Sequence, residues 1–428
     1  MLKQLCIEQF KSFKEAELTL GPLTILVGTN ASGKSNIRDA FRFLHGISRG
    51  YNLAEIMGEK YVEGGVIQWR GIRGGVREIT FRGENTFSLT ASFVIKKGTS
   101  EESATYCIKV DSGIDNHPPS LISERLSIGD RLNFLEAKSL PTTGREQVIV
   151  KILNHQITNR PIPFSRYQSI IYQLAELATD IAVEGESNAY IAATSIKGIA
   201  RATLNAFSSM RFLDLSPEAM RMPSIPGQTI LGDRGENLSS VLLDICQIPE
   251  KKEALLQWMQ ELTPMDAKDF EFPTDFTGKV LLTLVEGSGQ KISAYSASDG
   301  TLRFLAIVAA MLGSDPAQFY FIEELENGIH PARLHLLLQL IERKVSEGNI
   351  QMVATTHSST LLKLLSAQTL ESASLTYRLE DKPDAKIIRI LDIPDAARII
   401  KEQNLGRLHE SAWLENVMEF LKDDGEAE

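Results

Sequence analysis

The sequence predicts a mixed α/β fold in which a parallel sheet carrying a glycine-rich loop is interrupted by an antiparallel β lobe and a helical insertion. Three observations predict it. A β-branched apolar run, Leu23–Val27, stops at Gly28 and gives way to a helical stretch from Lys34 to about Leu44, the order strand, glycine loop, helix. From Val66 to Lys151 short segments alternate apolar and polar residues between turn-forming Gly, Asn, Asp and Pro, as half-buried antiparallel strands do. From Val280 onward strands and helices alternate again, as a chain returning to a parallel sheet requires.

In chain order, Lys3–Phe10 reads as the first strand and Leu23–Val27 as the second. The β lobe is expected from residues 77–81, 86–95, 104–110 and 147–153. Apolar positions then recur every three or four residues from Ser165 to Leu213 and from Asn237 to Leu262, a helical period, with a Pro/Gly-rich break at Pro217–Gly227. Strands resume at Val280–Val285, Gln318–Ile322 and Gln351–Thr355, with helices at Leu302–Leu312 and about Ala332–Val345 between them. The expected boundaries are 1–65 for the first part of the parallel-sheet domain, 66–153 for the β lobe, 154–275 for the mainly helical insertion and 276–428 for the second part. The acidic tail Asp423–Glu428 is expected to fray.

Composition narrows the function. With 428 residues, 43% apolar and 23% charged, the chain has enough apolar side chains for a sizeable core and is neither fibrous nor mainly disordered. Its 45 Lys and Arg against 55 Asp and Glu leave a net charge of −10, so nucleic-acid binding would need a local basic patch. Arg70 with Arg73 is one short cluster, best read as a solvated face, and Lys197, Arg201 and Arg211 are spaced along expected helices. Three scattered cysteines, Cys6, Cys107 and Cys246, form no CxxC pair, which fits a reducing cytoplasm better than a disulfide framework or a zinc site. The N-terminus lacks a signal-peptide core and the longest apolar stretch, Phe304–Leu312, is far short of the ~20 residues that span a bilayer, so no membrane contact is expected.

The strongest motif is Gly28-Thr29-Asn30-Ala31-Ser32-Gly33-Lys34-Ser35, followed by Asn36, which matches G-x-x-x-x-G-K-[ST] between an apolar strand and a helix. Its glycines let backbone N–H groups wrap phosphate oxygens and the helix N-terminus favours negative charge. Lys34 would reach the β- and γ-phosphates, and the Ser35 hydroxyl would ligate Mg²⁺. Composition alone would produce the pattern in about one or two chains of this length in a hundred.

Hydrolysis needs acids as well, and Phe319-Tyr-Phe-Ile-Glu323-Glu324 supplies two at the C-terminal end of a buried strand, where open α/β sheets bind ligands. Glu323 would face the metal shell and Glu324 would orient and deprotonate the attacking water; the plainer alternative is a pair of solvated acids. Ser298-Asp299-Gly300 opens an apolar helix and could be a second anion site or an ordinary N-cap. His357 ends another strand, Gln351–Ala354, within reach of a γ-phosphate, although a lone histidine is more often structural.

Together these motifs resemble the ABC-type ATPases of the SMC, RecF and OLD group, the AAA-family ATPases of bacterial defence and DNA repair. In such a P-loop NTPase head, Phe10-Lys-Ser-Phe13 matches the opening phrase and Gly28–Ser35 the Walker A loop. Ser298-Asp299-Gly300 is similar to the signature, Glu323-Glu324 to the Walker B acids, Glu326-Asn327-Gly328 with His330-Pro331 to the D-loop region, and His357 to the switch histidine. Two departures stand out: Glu323 replaces the customary Asp, and Gln68 is only a weak candidate for the Q-loop glutamine. The resemblance implies ATP and Mg²⁺ as cofactors. It also implies a homodimer or higher oligomer with two ATP molecules sandwiched, each Walker A loop facing Ser298 and Gly300 of the other copy. No sustained heptads are present, so a head without a rod is expected. The roughly 70 residues after His357 are too few for an appended TOPRIM nuclease, so nucleolytic output is expected from a separate effector in anti-phage defence. A RecF-like repair clamp that closes on DNA and a non-catalytic nucleotide-gated scaffold are the alternatives.

Overall fold

The computed structural model describes residues 1–97, 100–113, 117–129, 132–140, 147–159, 163–177, 180–183, 190–191, 193–262, 266–379, 382–414 and 416–419. The acidic tail 423–428 lies outside the described residues. The chain divides into two compact units, one of Met1–Leu20, Thr29–Ser209 and Leu375–Arg389, the other of Gly21–Gly28, Met210–Ser374 and Ile390–Glu428.

The first unit is built on a ten-stranded antiparallel sheet. Its neighbours run in the order Tyr190–Ile191, Ile181–Val183, His155–Asn159, Gln147–Ile152, Leu132–Leu140, Ser120–Ile128, Ser100–Asp111, Thr86–Lys97, Leu2–Phe10 and Phe13–Thr19. The period-two pattern turns one face inward, where Phe10, Phe87 and Phe93 are fully covered. Helix Lys34–Ser48, which begins at the glycine loop, lies on that face: Phe43 meets Phe87 edge-on at 5.2 Å and Phe87 meets Phe10 at 5.3 Å. Helix Ala193–Ser208 covers more of it through Phe207, 5.3 Å from Phe93, while the Phe207 carbonyl lies 2.8 Å from His45 Nδ1 on the loop helix.

Two expectations change here. Phe13–Thr19 is a strand that period-two reading overlooks, because its buried positions fall at Phe13, Ala16 and Leu18 and the alternation is broken once. Residues 77–81, read as a strand, instead belong to two short helical turns, Gly75–Glu78 and Phe81–Gly83, and only Thr80 bridges to Phe10.

The second unit holds four parallel strands in the order Met210–Leu213, Phe319–Ile322, Gln351–Thr356 and Leu23–Val27. The last three are buried on both faces, which is why they read as continuous apolar runs. Met210–Leu213 corrects the helical reading of 165–213: helix Ala193–Ser208 stops at Ser208, and the next apolar residues join the sheet beside Phe319–Ile322. Helices Leu238–Cys246, Pro249–Leu262, Asp299–Leu312 and Pro331–Ser346 belong to the same unit, with a small antiparallel sheet of Ala267–Glu271, Thr283–Glu286 and Lys291–Ser293. No helix among the described residues is long and apolar enough to cross a membrane.

A buried carboxylate pins the β lobe. Glu124 points inward from strand Ser120–Ile128 and accepts from Ile170 N at 2.6 Å, Ile171 N at 3.0 Å, and the Ser169 and Tyr106 hydroxyls at 2.8 Å each. It thereby holds the first turn of helix Ile170–Ala175 to the sheet. Burial pushes its carboxyl above the usual 4.5, against the pull of those four donors. Glu124→Ala strands all four donors and should cost about 3–5 kcal/mol in a urea unfolding titration. Because the folded state keeps this proton to higher pH than the unfolded chain, the carboxyl's contribution is complete below about 4.5 and falls as pH rises through the raised value. The penalty of the substitution should therefore shrink across that window.

Candidate active site

Parallel pairing sets the site out. Val27 pairs with Thr356, Ala354 with Ile322 and Ile322 with Leu213, so the strands end together at one edge of the sheet. The residues that leave that edge are Gly28, Glu323 with Glu324, and His357. These are three of the sequence motifs, brought together from residues 28, 323 and 357 by register alone.

The glycine loop follows. Thr29, Asn30 and Ala31 are exposed, Ser32 and Gly33 are buried, and Lys34 opens the helix with Ser35 and Asn36 in its first turn. Ala31 lies at φ 66° and Gly33 at φ 109°. Gly33 is required twice over: its φ suits only glycine, and a Cβ would come within 2.8 Å of the Phe13 ring and 3.0 Å of Ser12 Oγ. The loop is tied down from below by a 3.0 Å bond between the Ser32 and Thr376 hydroxyls and by Asn36 Nδ2, which donates to Ser12 Oγ at 2.7 Å. Lys34 Nζ donates to the Thr29 carbonyl at 2.8 Å, curling across the loop it would serve.

One residue of the loop helix gathers cations around it. Asp39, almost wholly buried, has Arg73 Nε at 3.6 Å and Lys11 Nζ and an Arg38 nitrogen at 3.8 Å. Burial raises the Asp39 carboxyl against the pull of Arg73, Arg38, Lys11 and Arg42, and burial lowers the Lys11 ammonium. Arg73 also donates to the Ser35 carbonyl at 3.1 Å. Arg70 and Arg73 are both exposed, as the solvated-face reading expects, and Arg73 in addition braces the loop helix. Gln68 is exposed on the ribbon Lys60–Val62 and Val66–Trp69. Lys197 and Arg201 share one helix but Arg211 lies on a strand, so the three form no single helical stripe.

At the acid end of the sheet edge, Glu324 has φ 51°, a left-handed backbone that costs about 1–3 kcal/mol for a residue with a side chain. It is held there by Thr355: the Thr355 hydroxyl accepts from Glu324 N at 3.0 Å and the Thr355 carbonyl accepts from Leu325 N at 3.2 Å. Asn327 Nδ2 donates to Glu324 Oε2 at 3.2 Å. The His357 amide donates to Glu326 Oε1 at 3.2 Å, while its ring Nδ1 lies 3.7 Å from Glu326 and 3.9 Å from Glu324. Glu326 is mostly buried, and its Oε2 has no hydrogen-bond partner among the described residues.

Ser298 caps helix Asp299–Leu312, its hydroxyl accepting from Thr301 N at 3.2 Å. Gly300 sits so close to the turn after the two acids that a Cβ would fall 2.1 Å from the Gly328 carbonyl. Glycine is dictated there by backbone contact, a reason the motif itself does not disclose.

More than half of the chain, residues 23–94 and 155–363, matches the sequence pattern of a family described as "AAA domain, putative AbiEii toxin, Type IV TA system". The chain belongs to this family. It is a P-loop ATPase of the AAA class. A protein of Helicobacter pylori (strain ATCC 700392 / 26695) described as an ATP/GTP phosphatase is 23% identical over 378 residues, 85% of this chain and 87% of that protein. Among solved structures, an SMC head bound to the C-winged helix domain of ScpA aligns over 90% of this chain and 97% of its own, at 14% identity and a TM-score of 0.48. An SMC head domain from Thermotoga maritima aligns over 91% and 98%, at 12% identity and a TM-score of 0.41.

For this AAA-class ATPase, motif reading singles out the acids and the histidine but misses the residues that aim them. Thr355 carried a signal, a hydroxyl at the end of an apolar strand; Glu326 had none beyond its proximity to the acids. Thr355→Val keeps the shape and removes the acceptor of the Glu324 amide, a loss of about 1–3 kcal/mol at that turn. Turnover should fall about tenfold with nucleotide affinity unchanged, measured by phosphate release and by fluorescent-nucleotide titration.

Proposed function

We propose that this ATPase is a nucleotide-gated dimeric switch: ATP binding closes two copies on each other, hydrolysis opens them, and the closed state signals to a separate effector, a nuclease, in anti-phage defence. The observation that carries the reading is the convergence of Gly28, Glu323, Glu324 and His357 on one sheet edge.

In this reading the backbone of Gly28–Gly33 and the first turn of the helix, through Asn36, cradle the phosphates. Lys34 neutralises charge on the transferred γ-phosphoryl group. Glu324 takes the proton of the attacking water, and its constrained φ and the Asn327 bond fix the direction of its carboxylate. His357, steadied by Glu326, reads the γ-phosphate. Ser298 and Gly300 of each copy close on the nucleotide of the other, which makes the site incomplete in a single chain.

Among the described residues no group of three or more His, Cys, Asp or Glu could hold a metal by itself. Mg²⁺ carried on a triphosphate takes oxygen ligands, and the Ser35 hydroxyl and the Glu323 carboxylate are the groups that would supply them from this chain, the ion neutralising phosphate charge. Glu323 in place of Asp shifts that carboxylate by about one methylene, which favours slow turnover. The family's description as a toxin–antitoxin system supports the defence role.

A repair clamp on DNA is the second reading, favoured by one observation. On the outer face of the β lobe, Lys109 and Lys138 flank Ser123 in one row, and Arg125 and Lys151 flank Glu136 in the next, all four cations exposed in a protein of net charge −10.

Glu324→Gln should cut turnover about 100-fold or more and trap ATP-dependent dimers, measured by phosphate release and by solution mass. Wild-type turnover per subunit should rise with protein concentration as copies pair. Unchanged turnover in the variant would remove Glu324 as the base, absence of turnover in the wild type would favour a scaffold, and stimulation by duplex DNA that fades with salt would favour the clamp.

A further inference from the structure

The signature-like turn contains a charge that its proposed task makes awkward. A helix N-terminus meant to meet a triphosphate is followed at once by Asp299, whose carboxylate would repel the phosphates that Ser298 and Gly300 are to receive. The structure supplies a counter-charge from the Pro/Gly-rich break that sequence reading left unassigned.

Arg221 follows the short helix Pro217–Met220. One guanidinium nitrogen donates to Asp299 Oδ1 at 2.6 Å and to the Ala297 carbonyl at 3.0 Å. The two acceptors flank Ser298 directly, so a single half-buried cation brackets the capping serine and neutralises the acid beside it. A guanidinium does both jobs because its planar fork offers several donors around a permanent charge. The bracket is itself anchored: three residues on, Ser224 exchanges backbone hydrogen bonds with Val280, and its hydroxyl accepts from Ser240 N at 2.9 Å.

We infer that Arg221 is a positioning residue of the signature turn: it cancels the charge of Asp299 and fixes the backbone on both sides of Ser298, so that the turn can accept the phosphate of a second copy. This rests on the dimeric-switch reading. It also accounts for an acid standing between Ser298 and Gly300, because the acid and Arg221 form a pair. The pair's partly exposed setting makes its effect on overall stability small. Its effect on an incoming phosphate is larger, because loss of Arg221 leaves Asp299 uncompensated at the contact point.

The test uses the full-length Glu324→Gln protein and reads its ATP-driven dimerisation by solution mass as ATP is titrated. Arg221→Ala should raise the ATP concentration needed about tenfold, and Arg221→Gln, which keeps a donor for Ala297 but lacks the charge, should raise it nearly as much. Asp299→Asn alone should change it less than about twofold, and adding Asp299→Asn to either Arg221 variant should restore most of the loss. A purely structural arginine would show no such rescue. Unaltered dimerisation in both Arg221 variants, or no rescue by Asp299→Asn, would overturn the assignment. Ser298→Ala separates the two levels. If it abolishes dimerisation while the Arg221 variants do not, Arg221 alone loses its role; if it too dimerises normally, the signature reading fails and takes this proposal with it.

Discussion

The candidate site depends on the parallel ladder that joins strand Leu23–Val27, near the start of the chain, to Gln351–Thr356 and Phe319–Ile322 near its end. Parallel strands cannot be joined by a tight hairpin, so a long excursion must separate them, and here that excursion holds the β lobe and most of the helices. The ladder also decides which ends coincide. A shift of one residue would exchange the two faces of strands that are buried on both sides, so that every side chain met the wrong packing partners, and it would move Glu324 away from the Thr355 hydroxyl. The geometry of the candidate site and the packing of the core therefore share one register.

Buried carboxylates are handled in three ways in this molecule, and the differences separate scaffold from site. Glu124 is surrounded by four donors and behaves as a staple. Asp39 is surrounded by cations at 3.6–3.8 Å, close enough for charge compensation but too far for hydrogen bonds, beneath a loop built to receive an anion. Glu326 accepts one backbone amide and keeps a second oxygen buried without a hydrogen-bond partner among the described residues, next to the histidine expected to sense phosphate. Full satisfaction is found in the β lobe, and incomplete satisfaction on the loop helix and beside the two acids.

The departures from the family pattern have the same logic. Glu323 stands where the resemblance expects Asp, and Asp299 places a negative charge between Ser298 and Gly300. Each would count against the site if read alone. Asp299 is matched by Arg221, and Glu324 is held in a costly backbone conformation by Thr355 and Asn327. Asp299 and Glu324 are thus each explained by a partner distant in sequence, Arg221 and Thr355.

The sequence by itself determined the loop Gly28–Ser35, the buried acid strand ending in Glu323 and Glu324, and the strand leading to His357, because each is a local pattern whose chemistry follows from a few neighbouring residues. Local alternation also marked strands at 86–95, 104–110 and 147–153, but not Ser120–Ile128 or Leu132–Leu140. Tertiary structure decided the rest. Strand Phe13–Thr19 was hidden by a broken alternation and Met210–Leu213 by the helical period before it, since short apolar runs do not distinguish strand from helix until a neighbour pairs with them. Arg73, Arg221, Thr355 and Glu326 act through hydrogen bonds and ion pairs to residues about 30 to 80 positions away, and no spacing rule reaches that far. Which residues carry charge and phosphate chemistry was legible along the chain; which residues aim them was set by the fold, because aim is a matter of distance in space.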